Sequence, residues 1–145
     1  MEITFNFQLM HTITVLVDWC GSNYAAYISG GEIGGLVTAT ARTFDELQRQ
    51  AAEALRFHVE GCLSDGDTLP DWLVKGDYRL DFEKRFSAIL HDAQQYTTLA
   101  VLSRETGIRH AQLSHYANAV SQPRPAQRRR IIEGLHAIGR QLAAV

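Results

Sequence analysis

The chain has 145 residues and a formal net charge of −2, with 46% hydrophobic and 21% charged residues. These proportions are average for a globular protein, and they exclude a wholly disordered chain, a collagen-like repeat and a disulfide-stapled miniprotein. The total charge conceals an asymmetry, because residues 1–75 carry 4 Lys and Arg against 10 Asp and Glu, whereas residues 76–145 carry 10 against 6. An acidic half joined to a basic half predicts that the basic half meets a polyanion.

The chain shows no signal for export, membrane insertion or disulfide bonding. Its longest apolar runs are far shorter than the roughly 20 residues that span a bilayer. The segment Met1–Leu9 lacks the basic and apolar regions of a signal peptide. Cys20 and Cys62 form no CxxC motif, so two reduced thiols are the simplest interpretation. We therefore expect a cytoplasmic protein with no membrane partner.

The first half of the chain predicts strands followed by one helix. In Met1–Leu9, apolar and polar residues alternate, which predicts a half-buried strand unless Met10 is the native start. Three further strands are predicted at Thr12–Val17, Tyr24–Ile28 and Leu36–Thr40, with a turn at Asp18–Asn23.

The helix of this half begins with a capping box, in which the Thr43 hydroxyl is expected to accept a hydrogen bond from the Glu46 amide. Apolar residues follow at helical spacing until Gly61, where we predict the helix to end. A polar turn at Ser64–Asp71 then precedes a short strand at Tyr78–Phe82. Counted from Thr12, these elements predict a small N-terminal β-β-β-α-β sandwich, assigned to residues 1–75, in an α+β protein.

The second half, residues 76–145, predicts an all-α domain of four helices. Their predicted spans are Phe82–Gln95, Thr98–Thr106, Arg109–Ala119 and Pro125–Ala143. Pro125 suits the first turn of the last helix, where its missing N–H costs nothing.

The strongest local signal is the segment Leu99–Asn118, which reads as a helix, a turn at Gly107 and a second helix. Four apolar residues are spaced to lock the helices together: Leu102, Ile108, Leu113 and Tyr116. The residues left to face DNA bases are Arg109, His110, Gln112, Ser114, His115 and Asn118. The segment resembles the helix-turn-helix of repressors of the Xre/Cro type, and the alternative is a helical corner in some other domain.

Basic residues follow the second of these helices, and Thr97–Val145 contains 7 Arg and only 2 Glu. We predict phosphate contacts from Ser121, Gln122, Arg124, Arg128 and Arg129, with Arg130 in the same cluster. A solvated basic helix face is the alternative. The apolar stripe Ile131–Leu142 could form a dimer seam or pack within its own domain.

A second resemblance covers the first half. Its signals are the strand Tyr24–Ile28, a glycine loop, the capping box after Thr43 and an alanine-rich helix. Together they are similar to HicB-type antitoxins, which have a degenerate ribonuclease-H-like domain, often followed by a DNA-binding domain. The chain departs from this family at Ser29–Gly35, which replaces the usual Pro-Asp-x-x-Gly-Cys loop.

The HicB resemblance implies an antitoxin of a type II toxin-antitoxin pair. Such a protein neutralises a small basic HicA-like ribonuclease toxin, and represses its own operon by binding double-stranded operator DNA. We expect a homodimer, or a tetramer if the sheet also pairs through an edge strand. The alternative is a stand-alone transcriptional regulator, whose N-terminal domain binds a small ligand or only oligomerises.

An enzyme is not expected. A ribonuclease-H-type site needs carboxylates that converge on two metal ions, and the spacing of Asp18, Glu32, Asp45 and Glu46 does not require convergence. His58 and Cys62 are four residues apart, but no third or fourth metal ligand is evident. We therefore predict no catalytic residues, no metal and no cofactor, and interpret His58 as a helix-face histidine at the sheet edge.

Overall fold

The computed structural model describes residues 10–145, so the strand predicted for Met1–Leu9 lies outside the described residues. The fold is mixed α+β, with a four-stranded mixed sheet followed by helices. The strands are β1 (His11–Trp19), β2 (Tyr24–Gly30), β3 (Gly35–Ala41) and β4 (Tyr78–Lys84). The helices are α1 (Phe44–Ser64), α2 (Asp71–Lys75), α3 (Phe86–Ala93), α4 (Leu99–Thr106), α5 (His110–Ala117) and α6 (Pro125–Ala143).

The sheet has the strand order β3-β2-β1-β4, and α1 covers one of its faces. Strands β1, β2 and β3 pair antiparallel, whereas β4 returns after α1 and α2 to pair parallel with β1. Ile13, Val15 and Val17 alternate along β1 and are buried with Leu47 and Leu55 of α1. This period-2 burial is that of a half-covered strand, so one face of the sheet forms the first core.

Helix α1 begins as predicted but ends later. The Glu46 amide donates to Thr43 Oγ1 over 3.2 Å, which confirms the predicted cap. The predicted end at Gly61 is wrong, because the helix continues to Ser64. Glycine inside a helix costs only about 1 kcal/mol relative to alanine, and Cys62 in the same turn is buried.

The boundary between β4 and α3 also differs from the prediction, which began a helix at Phe82. Phe82 instead lies in β4, opposite Val15, and packs against the first core. Tyr78, Leu80 and Phe82 alternate with exposed charged residues, and this strand period overrides the helical spacing read from Phe82 onward. The short helix α2, at the end of the predicted polar turn, was not predicted.

Helices α3 to α6 enclose a second core. Its buried members are Phe86, Leu90, Leu102, Ile108, Leu113, Tyr116, Ile131 and Ile138. The four residues predicted to lock α4 to α5 are all among them, so that prediction is confirmed. Within residues 10–145, no helix combines the length and the apolar character needed to cross a membrane.

A buried polar contact joins β1 to α3. Asp18 was predicted to lie in a turn, but it lies in β1 and is only 8% exposed. The fully buried Ser87 donates through Oγ to Asp18 Oδ1 over 2.7 Å and accepts from the Trp19 amide over 2.9 Å. Arg85 Nη1 lies 3.7 Å from Asp18 Oδ2. The carboxylate therefore holds α3 against the end of the sheet.

Two aromatic contacts complete this junction. The rings of Trp19 and His91 stack with their centroids 3.6 Å apart. The Tyr24 hydroxyl donates to Asp92, which also pairs with Lys84 Nζ at 2.7 Å. Burial, reinforced by the Asp92 carboxylate, raises the pKa of Tyr24 well above its usual range. Tyr24 therefore stays a neutral donor.

Replacing Ser87 with alanine will lower the free energy of unfolding by about 1–3 kcal/mol, because the buried Asp18 carboxylate and Trp19 amide both lose a hydrogen-bond partner. Urea denaturation measures this change. Ser29 is exposed in β2, and its replacement by alanine should stay within about 0.5 kcal/mol. Equal effects at the two positions would show that Ser87 does not stabilise the junction.

Candidate nucleic-acid interface

The turn between α4 and α5 is fixed by its own side chains. Ser103 Oγ donates to the Ile108 carbonyl over 2.5 Å. Thr106 Oγ1 donates to the Leu102 carbonyl over 2.7 Å and accepts from the Ile108 amide over 3.2 Å. Gly107 ends α4 with φ +75°, a left-handed conformation that favours glycine. The angle between the two helices is therefore set locally.

Arg130 of α6 ties the same turn to the last helix. Its Nη2 donates to the Thr106 carbonyl over 2.6 Å, and its Nη1 donates to Gln127 Oε1 over 3.0 Å. The guanidinium thus satisfies a carbonyl at the C-terminal end of α4, which has no helical partner. This arginine was grouped with the predicted phosphate contacts, but the structure assigns it to holding the turn.

Helices α4 and α6 approach each other closely at Gly134, which is buried. A Cβ atom at this position would lie 2.5 Å from Thr106 Cγ2 and 3.3 Å from Leu102 Cδ1. Only a glycine fits this crossing without displacing its neighbours. The close approach brings the N-terminal half of α6 beside the turn that precedes α5.

The exposed face of α5 carries part of the predicted base-facing set. Ala111, His115 and Asn118 are exposed, and Ser114 lies between them on the same side of the helix. Asn118 Nδ2 donates to the Ser114 carbonyl over 2.9 Å and to its hydroxyl over 3.3 Å. This contact orders two side chains that together offer hydrogen-bond donors and acceptors to a ligand.

The other three predicted base-facing residues lie elsewhere. His110 and Gln112 are two positions apart, so about 200° of helical rotation places them on opposite flanks of α5. Arg109 precedes the first turn as the N-cap residue and lies on the side of Gln112. The six predicted residues therefore do not form one row. Ser114, His115 and Asn118 form a stripe on the outer face, His110 lies on one flank of it, and Arg109 and Gln112 lie on the other.

A shallow cleft of about 470 Å³ adjoins the flank of α5 that carries Gln112. Its ten lining residues are Gly107, Ile108, Arg109, Gln112, Tyr116, Ser121, Gln122, Arg124, Gln127 and Arg130. None of them is acidic, and three are arginines. Three of the five predicted phosphate-contacting residues, Ser121, Gln122 and Arg124, therefore lie beside two of the predicted base-facing residues.

The Ser121 hydroxyl is a further feature of this cleft. Its oxygen is buried, and among residues 10–145 it has no hydrogen-bond partner. A buried hydroxyl without a partner is uncommon and costs free energy. Ser121 therefore contributes an unused donor and acceptor to the wall of a basic cleft.

Arg128 and Arg129, the remaining predicted phosphate contacts, lie outside this cleft. The Arg128 guanidinium lies over the Phe86 ring, 5.5 Å from its centroid, and lines a different cleft of about 210 Å³ against β1 and β4. Arg129 is exposed, and its position two residues before the buried Ile131 turns it away from the core. Neither of these two arginines lines the cleft that holds Arg124.

The glutamates of α4 and α6 do not line the basic cleft. Glu105 and Glu133 line a neighbouring cleft between α4 and α6, together with Arg130 and Arg140. Glu105 Oε2 also accepts a hydrogen bond of 3.5 Å from Gln141. The outer face of α5 and its adjoining cleft consequently present positive and polar groups without carboxylates.

The acidic residues considered for catalysis are not grouped. Asp18 is buried against Ser87, Glu46 lies in the first turn of α1, and Glu32 is exposed between β2 and β3. His58 Nε2 lies 2.9 Å from the Ile33 carbonyl and 3.5 Å from Cys62 Sγ, so it fastens the glycine loop to α1. In the part of the chain that the structure describes, no three His, Cys, Asp or Glu residues could hold a metal ion.

Comparison of the chain with protein-family models, with curated proteins and with solved structures found no match.

Proposed function

We propose that α4 and α5 form a helix-turn-helix that binds double-stranded operator DNA as a homodimer. The observation that carries this proposal is the polar, carboxylate-free face of α5, which adjoins a cleft lined by three arginines. Short side chains with donors and acceptors suit base edges in the major groove, and arginines suit phosphates. The rigid turn at Gly107 presents α5 in one orientation, as specific docking requires.

In this proposal, the residues divide into two roles. Ser114, His115 and Asn118 meet base edges from the centre of α5. Arg109 reaches the same groove from the start of the helix. Arg124 meets the phosphate backbone beside it, which positions the protein without reading sequence.

We further propose that the sheet and α1 bind a small basic HicA-like ribonuclease toxin, so that the chain is an antitoxin that represses its own operon. The resemblance of the first half to HicB-type antitoxins is the basis of this part. The negative charge of residues 1–75 supports it, since a protein that grips RNA is itself basic. Asp45, Glu53 and Glu60 of α1 are exposed and available for such a contact.

Fluorescence anisotropy tests the DNA-binding part, with DNA from upstream of the chain's own gene and a scrambled control of equal length. We expect at least about a thousandfold preference for the upstream DNA at physiological salt. Equal affinity for the upstream DNA and the scrambled DNA would contradict the proposal that the chain recognises an operator.

If a short basic reading frame adjoins the gene, co-expression with its product tests the antitoxin part. Capture of that product by the full chain, with relief of its toxicity, is the expected result. Operator binding without capture would instead favour the stand-alone regulator.

A further inference from the structure

We propose that the β3 edge of the sheet pairs antiparallel with β3 of a second copy of this chain, which joins two four-stranded sheets into one. This interface goes beyond the proposed DNA and toxin contacts. It uses a strand on the opposite side of the sheet from β4, which leads into the DNA-binding helices.

The two edges of the described sheet are built differently. Strand β4 has charged residues at Arg79, Asp81, Glu83 and Lys84, and such charges are a common device against edge-to-edge pairing. Strand β3 has the sequence Gly-Leu-Val-Thr-Ala-Thr-Ala, with no charge and no proline. It pairs regularly with β2 along its whole length, so no bulge disrupts the edge. The edge at β3 is therefore open to pairing.

Large apolar side chains lie exposed on both sides of this edge. Leu36 is 64% exposed on the sheet face that α1 does not cover. Phe57, on α1, is 78% exposed and borders an open cleft of about 620 Å³ between α1 and Thr38–Thr40. Burial of a side chain of this size stabilises a contact. The uncovered face of the sheet and the helix layer thus both offer apolar surface at the same edge.

A second copy fits this edge because the strand is nearly symmetric about Thr38. In an antiparallel pair centred there, Val37 faces Ala39 of the other copy, and Leu36 faces Thr40. Val37 and Ala39 both point toward α1, so the two helices fall on the same face of the joined sheet. No like charges meet along the strands, and the contact closes on itself as a two-fold dimer.

The charges of α1 suit the same symmetry. Glu53 lines the cleft beside Thr38 and would therefore lie near the two-fold axis. Arg49 and Arg56 are exposed within one turn on either side of it. Because α1 and its symmetry mate run antiparallel, arginines of both copies flank the two Glu53 carboxylates and offset the repulsion between them.

The interface is small, so we expect reversible association. Seven strand residues extend about 23 Å, and the sheet and helix layers together are about 20 Å deep, which gives roughly 500 Å² for each copy. This area is at the low end of specific interfaces. A concentration-dependent equilibrium between chains paired at β3 and chains unpaired there should therefore be measurable.

Sedimentation equilibrium of the full chain over a wide concentration range tests the pairing. Thr38→Lys places two lysines opposite each other, and Phe57→Glu removes the apolar contact. Each substitution should halve the mass reached by the wild-type chain at high concentration. Val74→Glu is the matched control, since Val74 is 42% exposed on α2, and it should behave as the wild type does. Far-ultraviolet circular dichroism confirms that each variant is folded.

A cysteine cross-link tests the register. In a Cys20→Ser background, Thr38→Cys should form a disulfide-linked dimer on mild oxidation, because paired strand residues are within disulfide range. Thr14→Cys, exposed on the inner strand β1, is the control and should remain a monomer on denaturing gels.

Three results would overturn the proposal. One is an equal mass for the wild type and the Thr38→Lys variant, which would place any association elsewhere, including the DNA-binding helices. Another is equal cross-linking at Thr14→Cys. The third is association only after removal of residues 1–9, which would mean that the chain covers this edge itself. Because none of the readouts involves DNA or a toxin, failure here leaves the proposed function intact.

Discussion

Replacing Gly134 with alanine will lower the free energy of unfolding by about 1–3 kcal/mol, as overpacking of a well-filled core does. The new methyl carbon would lie 2.5 Å from Thr106 Cγ2, well inside van der Waals contact, and 3.3 Å from Leu102 Cδ1. Helix α4 must therefore shift away from α6. The higher helix propensity of alanine, about 1 kcal/mol, offsets only part of this cost.

Gly139 provides the matched control in the same helix. A Cβ atom there meets nothing within 4 Å, so Gly139→Ala should raise the free energy of unfolding by up to about 1 kcal/mol. Urea denaturation of both variants measures the two changes in the free energy of unfolding, which we expect to have opposite signs. Stabilisation by both substitutions would mean that α4 and α6 do not cross as closely as described.

Gly134→Ala should also weaken DNA binding at temperatures where the chain remains folded. Arg130 and the Thr106 carbonyl hold the turn that orients α5, and a shift of α4 changes their 2.6 Å contact. The Gly139→Ala variant should bind DNA as the wild type does. A folded Gly134→Ala variant with unchanged affinity for DNA would show that the crossing of α4 and α6 does not influence DNA binding.

Replacing Arg124 with alanine will weaken binding to operator and scrambled DNA alike and reduce the salt slope of log K by about one. Arg124 lines the basic cleft beside Ser121 and, in the proposed function, contacts phosphate. Arg109→Ala should instead cost about 1–3 kcal/mol on the operator and relax the sequence preference. Fluorescence anisotropy at several salt concentrations separates the two effects.

The other arginines of α6 are the controls for this experiment. Arg128 lies over Phe86, and Arg129 faces away from the core, so alanine at either position should change the salt slope much less than at Arg124. Arg128→Ala should instead lower stability, because its contact with the ring is lost. A reduction of the salt slope by about one at all three positions would contradict the placement of the phosphate contact at Arg124.

The sequence predicted most of the elements because their signals are local. Period-2 alternation in β1 and the Thr43 cap depend on residues next to each other in the chain. The prediction placed Phe82 both at the end of a strand and at the start of a helix, and only the strand assignment is confirmed. Pairing with Val15, far away in the sequence, decides between them. No local pattern carries that information.

The same distinction applies to the candidate site. The lock of Leu102, Ile108 and Leu113 follows from spacing across one turn, and it was predicted correctly. The sequence did not indicate which arginines line the cleft, because this depends on which side of α6 packs against Phe86 and which against the α4 turn. The close crossing at Gly134 was also missed, since a glycine in a helix gives no sign of what it faces.

Helix α3 contributes residues to both cores of the molecule. A single residue, Arg85, separates it from β4, and its sides enter both cores through Ala88 on one and Leu90 on the other. The described chain thus has no linker between β4 and α3 that would let the last four helices move independently of the sheet. In a dimer joined at β3, the two α5 helices of the proposed DNA interface would be held at one separation. Such a dimer would bind DNA half-sites of one spacing and reject others.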